Sequence, residues 1–191
     1  MRFAALAAVA GFATFGAATQ ATQDAPQTFH NPNVIYEAIL PKEAFWHGGP
    51  LNGNVRGFVR ASRGPEGRGV KYNVYFENFP QSGGPFIYHI HVKPVPDSGN
   101  CTSTLAHLDP YSRGEDPPCQ SSRPETCQVG DLSGKHGNIT QYAFRETYVD
   151  PYTSLVEGTP GFFGNRSLVV HFANKTRITC ANFHRVEGCA F

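Results

Sequence analysis

The stretch that most limits what this chain can fold into is Tyr88-His89-Ile90-His91-Val92, set in a run of β-forming residues. Successive side chains on a strand point to opposite faces, so His89 and His91 share one face while Tyr88, Ile90 and Val92 share the other. The same two-residue period recurs in 70–76, where Val70, Tyr72, Val74 and Phe76 alternate. Further strands are expected at 34–40, 55–61, 86–92, 144–149, 168–172 and 178–183, separated by turns rich in glycine and proline. No long amphipathic 3.6-residue pattern is present, so helix is scarce. Seven to eight short strands with turn signals between them predict an all-β fold, an antiparallel sandwich or barrel. The residues from 93 to about 135 lack strand signals but hold three cysteines and His107, as a long stapled loop would.

Charged residues make up 16% of the chain and the formal net charge is +1, which argues against nucleic acid or an anionic membrane surface as the main partner. Arg2 followed by small and apolar residues over 3–18, with exits at Ala17-Ala18 or Ala21, reads as a signal peptide at 1–18. The run is short, alanine-rich and followed by Thr19-Gln20, so no membrane span is expected. The sequence closes on Cys189-Ala190-Phe191 without an apolar tail, so no lipid-anchor signal is expected either. Residues 19–32 are polar and read as a flexible extension, leaving 33–191 as one β domain. Asn100, Asn138, Asn165 and Asn174 each open an Asn-x-Ser/Thr sequon, consistent with a secreted protein. The five cysteines should pair in an oxidising compartment, and an odd number leaves one over.

Paired strand histidines can share one metal ion, and two more histidines follow in comparable settings: His107 in Leu105-Ala106-His107-Leu108-Asp109-Pro110, and His171 closing Leu168-Val169-Val170-His171. Arg177 lies a hairpin-sized connection beyond His171, which puts it on the neighbouring strand. A cation beside a metal-bound imidazole attracts an anionic ligand to the metal. An all-imidazole set suits copper or zinc, and residue types alone do not choose between them. Zinc with an open position would make a hydratase or hydrolase, whereas copper would make a redox site. His30, His47, His136 and His184 are read as structural or surface residues.

Taken together, His89-Ile90-His91, Gly99-Asn100-Cys101-Thr102-Ser103, His107, Val129-Gly130-Asp131-Leu132-Ser133-Gly134, Leu168-Val169-Val170-His171 and Thr176-Arg177-Ile178-Thr179-Cys180 follow one another as in the copper/zinc superoxide dismutases. The chain resembles that family from about residue 34 to 183. The resemblance implies a Greek-key β-barrel and copper held by His89, His91, His107 and His171. It also implies that Arg177 guides superoxide to the copper and that Cys101 and Cys180 form a disulfide. Cys119 and Cys127 are close in sequence and share the long loop, so they are paired, leaving Cys189 over; other pairings remain open on sequence alone.

Two departures from the family pattern shape the expectation. Asp131 matches the zinc-binding aspartate, but Gln128 stands where a zinc-ligand histidine would, and no histidine lies between His107 and Gln128. The charged loop before the guiding arginine is reduced to 172–176. Both losses resemble the copper-only, secreted, fungal-type members. The resemblance therefore implies one copper per chain, no zinc, superoxide as substrate and secretion; separately, a monomer or weak oligomer is expected, extracellular and open to association with the cell wall. Without zinc, the far nitrogen of His107 needs a partner, and Asp131 is the expected one. Lys175, with Lys135 and Lys93, is expected to add to the positive field of Arg177. The alternatives in other classes are a copper-binding or cell-wall protein without turnover and the zinc hydratase or hydrolase.

Overall fold

Residues 22–187 of the chain are described by a computed structural model; the expected signal peptide at 1–18 and Cys189 lie outside the described residues. In chain order the elements are β1 (Ile35–Ile39), β2 (Arg56–Arg63), β3 (Val70–Glu77), β4 (Ile87–His91), α1 (Leu132–His136), β5 (Phe144–Asp150), β6 (Ser167–His171), β7 (Arg177–Asn182) and β8 (His184–Arg185). They form two antiparallel sheets, one of five strands ordered β5-β3-β2-β1-β8 and one of three ordered β4-β6-β7. The expected sandwich is present, and among the described residues backbone hydrogen bonds do not close it into a barrel.

The alternation read in 70–76 is the reason β3 sits at the centre of the core. Val70, Tyr72, Val74 and Phe76 are buried while the residues between them are not. They meet Tyr88 and Ile90 of β4, Leu168 and Val170 of β6, and Ile178 of β7 in one apolar cluster. Fully burying an aromatic or aliphatic side chain of this kind stabilises by roughly 1.5–3 kcal/mol. Gly57 in β2 cannot be replaced without strain: its φ is +135° and a Cβ would lie 1.9 Å from the Tyr75 carbonyl oxygen.

The smaller sheet is buried on both faces. Its inner face joins the core, and its outer face carries His89, His91, Val169, His171 and Cys180, all buried. Register explains the grouping: His89 opposes Val169, Ile87 opposes His171, and cross-strand partners point the same way. The long loop covers this face. Its residues 106–108 run along β4, with Val92 N–H donating to Ala106 O and Leu108 N–H to Ile90 O, which sets His107 against His91. Gly130 closes in on the same strand; a Cβ there would stand 2.3 Å from Ile90 O.

Several expectations are corrected. Residues 22–32 are not a loose extension: Asn31 is buried, its Nδ2 donates to Gly67 O and Gly69 O, and its Oδ1 accepts from Leu155 N–H. Lys135 is not at the metal-site rim. It is fully buried and pairs with Asp150 at 2.6 Å. His136 is likewise no loose surface group, since it stacks on Tyr148 at 3.9 Å and bonds Asp150 at 2.8 Å. Burial alone would raise the Asp150 carboxyl, but Lys135 and His136 hold it well below the usual carboxylate range.

Candidate metal centre

His89, His91, His107 and His171 converge on one point, with a ring nitrogen from each within 4.8 Å of all the others. Three of them have their tautomer set from behind. His91 Nδ1–H donates to Leu105 O at 2.8 Å, and His171 Nδ1–H to Lys175 O at 3.0 Å. His107 Nδ1–H donates to Gln128 Oε1 at 2.6 Å. A carbonyl oxygen only accepts, so Nδ1 carries the proton and Nε2 keeps its lone pair. His89 is turned the other way: its Nε2 faces Asp131 Oδ1 at 3.4 Å, and its Nδ1 is buried without a partner. The four free nitrogens are therefore Nδ1 of His89 and Nε2 of the other three.

A buried nitrogen with no partner is costly unless a ligand satisfies it. Together with His91 Nε2 and His171 Nε2 only 3.2 Å apart, it makes the cluster fit a metal ion. Burial, and then the mutual repulsion of neighbouring imidazoles, lowers the pKa of His91 to about 2, of His171 to about 3 and of His107 to about 4. These three imidazoles are neutral at pH 7, the form that ligates metal.

Asp131 does not partner His107, contrary to expectation. Its Oδ1 accepts from Gly134 N–H at 2.7 Å, capping α1, and faces His89 instead. Burial pushes its pKa up, but His89, the Gly134 N–H and His107 together leave it lowered. Gln128 takes the His107 role, and its own amide is oriented by Asp109, with Nε2–H donating to Oδ2 at 3.2 Å. Asp109 in turn accepts from the N–H groups of Arg113 and Gly114. The sequence marked Gln128 as a departure but gave no sign of this bond, because the two residues sit on non-periodic loops.

Arg177 pairs with His171 across β6 and β7, where the register shifts. Its guanidinium donates to Cys101 O and to Leu105 O, so the turn that holds His91 also holds Arg177. The Cys101–Cys180 disulfide, with Cα atoms 5.8 Å apart, ties that turn to β7. Cys119 and Cys127 form a second disulfide inside the loop. Lys175 is exposed but paired with Glu115, so its charge is offset. Asn100, Asn138, Asn165 and Asn174 are all exposed. The imidazoles of His89, His107 and His171 line a cleft of about 300 Å³, rimmed by Glu115, Lys175 and Asn138. A larger cavity of about 940 Å³ between β1, β8 and β7 contains none of them.

Fold and cluster together define a β-sandwich with an all-imidazole metal centre. No family model matches the sequence. The chain is 42% identical over 195 residues to a cell surface Cu-only superoxide dismutase of Arthroderma benhamiae, covering 87% of this chain and 50% of the relative. It is 37% identical over 169 residues to a protein of Candida albicans named cell surface superoxide dismutase [Cu-Zn] 6, again covering 87% and 50%. The chain thus spans about half the length of these curated relatives. Among solved structures, Candida albicans superoxide dismutase 5 with Cu(II) superposes with a TM-score of 0.71 at 34% identity, covering 83% of this chain and 97% of that one. The chain belongs to the superoxide dismutase family, alongside its copper-only members.

Proposed function

We propose that this chain is an extracellular, cell-surface copper superoxide dismutase that binds one copper and no zinc. The observation that carries the reading is the convergence of four imidazole nitrogens, one of them buried and unpartnered, beside Arg177. Copper bound there would supply one-electron chemistry, taking an electron from one superoxide and passing it to a second. Imidazole ligands suit both oxidation states.

The chain's own residues do the rest. Leu105 O, Lys175 O and Gln128 Oε1 fix three ring orientations, so the donor set is formed before metal arrives. Arg177, held by the turn at 101–105, supplies the positive charge that draws in an anionic substrate. Support for copper alone comes from His107: the nitrogen a bridged second metal would need is already bonded to Gln128. Asp131 remains a positioning residue, acting on His89 and on the start of α1. All four imidazoles come from one chain, so the centre needs no residue from a second copy. Among the described residues no helix is long and apolar enough to cross a membrane.

The test is the dismutation rate of the copper-loaded protein at rising ionic strength, for the wild type and Arg177→Gln. Fast dismutation that slows with salt in the wild type, and a slower, salt-insensitive rate in the variant, is expected. Absence of dismutation in the copper-loaded wild type would overturn the assignment.

A further inference from the structure

A second cleft, of about 310 Å³, opens on the turn between β6 and β7, away from the imidazoles. Trp46 and Phe172 line it, edge to face at 6.5 Å, and Gly83, Ala173 and Asn174 complete its wall. Trp46 is 38% exposed, whereas Phe172 is buried beneath it. The Phe172 ring lies so close to Gly83 that a Cβ there would come within 2.6 Å of it, and Gly83 has a φ of +91°. Ala173 N–H donates to Gly83 O at 2.9 Å, so the wall is tied down by backbone bonds. The exposed indole and the fixed wall beside it make a small, rigid apolar face open to a ligand.

Asn174, the first residue of the Asn174-Lys175-Thr176 sequon, stands on the rim of this cleft. Its Oδ1 accepts from Thr176 N–H at 3.0 Å, and among the described residues its Nδ2 has no hydrogen-bond partner. We propose that Asn174 carries an N-linked glycan whose first N-acetylglucosamine covers Trp46 in this cleft. The negative face of an indole attracts the C–H-rich face of a pyranose. A sugar tethered at the rim meets the indole at high effective concentration, so even a weak contact is populated. In the attachment step, Nδ2 bonds to the anomeric carbon and loses one proton. The sugar–pyrophosphate bond of a lipid-linked oligosaccharide donor breaks, and the lipid pyrophosphate leaves. The inference is independent of the metal centre.

Trp46 is the sole tryptophan of the chain, so its fluorescence reports on this cleft alone. The test uses the full chain secreted from a yeast host, with peptide mapping of Asn174 and acrylamide quenching of Trp46. Asn174 should be occupied. Quenching should rise when an amidase removes the whole glycan from the folded protein, and stay low when trimming leaves a single N-acetylglucosamine. Asn174→Gln should match the fully stripped protein, and Asn165→Gln should match the untreated one. Should the Asn174→Gln variant fail to be secreted, enzymatic removal on the wild type decides. An unmodified Asn174, or quenching that is unchanged by complete removal, would overturn the proposal.

Discussion

Gln128 shows how much one side chain can set at this centre. It accepts from His107 and donates to Asp109, so a loop carboxylate orients an amide that orients an imidazole. Gln128→Leu keeps the volume and removes the bond. Copper affinity should fall about 10–100-fold, as is usual when such a partner is lost, and a competitive chelator titration reads it. Equal affinity in that variant would show that His107 needs no such partner. The imidazoles also set a pH dependence. Unfolded histidine titrates near ~6.5, whereas His107, His171 and His91 fall to about 4, 3 and 2 in the folded metal-free protein. The unfolded chain therefore takes up protons that the folded one refuses. This contribution to stability is fully present above about pH 6.5 and is lost as the pH falls through the folded values. The metal-free protein should melt at a progressively lower temperature from pH 7 to 4, in scanning calorimetry. A flat profile would mean that the rings are not held neutral.

At the scale of elements, the turn at 101–105 joins three jobs. It bonds His91, cradles Arg177 and is bolted to β7 by Cys101–Cys180, a bridge spanning 79 residues of sequence. Replacing both cysteines by serine should cost about 2–5 kcal/mol of stability in urea unfolding, and should slow any superoxide reaction by loosening Arg177. Loss of stability without loss of rate would separate the bridge from the arginine. The short helix α1 docks on β5 through buried Lys135 and Asp150. Lys135→Met leaves a buried carboxylate half-paired and should destabilise by about 3–5 kcal/mol in the same assay. The strands were legible because a period of two survives in 70–76 and 86–92. The helix was not, because five residues hold too little of a 3.6-residue period. Asp131, an acceptable N-cap, was the one signal for it. The burial of Lys135 against Asp150 is not legible in the sequence, because a single charge reads as surface until its partner is known.

Across the whole molecule, two sheets of unequal size leave the outer face of the smaller one to be roofed by a loop, and the imidazoles lie under that roof. His89 and His91 could be paired from strand geometry alone. His107 and His171 joined them through order and motif, since nothing periodic links a loop residue to a distant strand. The charge pattern around the centre is not legible in the sequence for the same reason: Glu115 pairs with Lys175 only once the loop folds back. Arg177 is therefore the main source of local positive charge. The salt effect on the reaction should be shallow rather than steep, fading over the ~10 Å screening length of ~0.1 M salt. The most direct test of the account is metal content after loading with equal copper and zinc, with dismutation measured on the same sample. About one copper per chain, negligible zinc and fast dismutation is the predicted result. Zinc retained in the imidazole site, with no dismutation even after loading with copper alone, would contradict it.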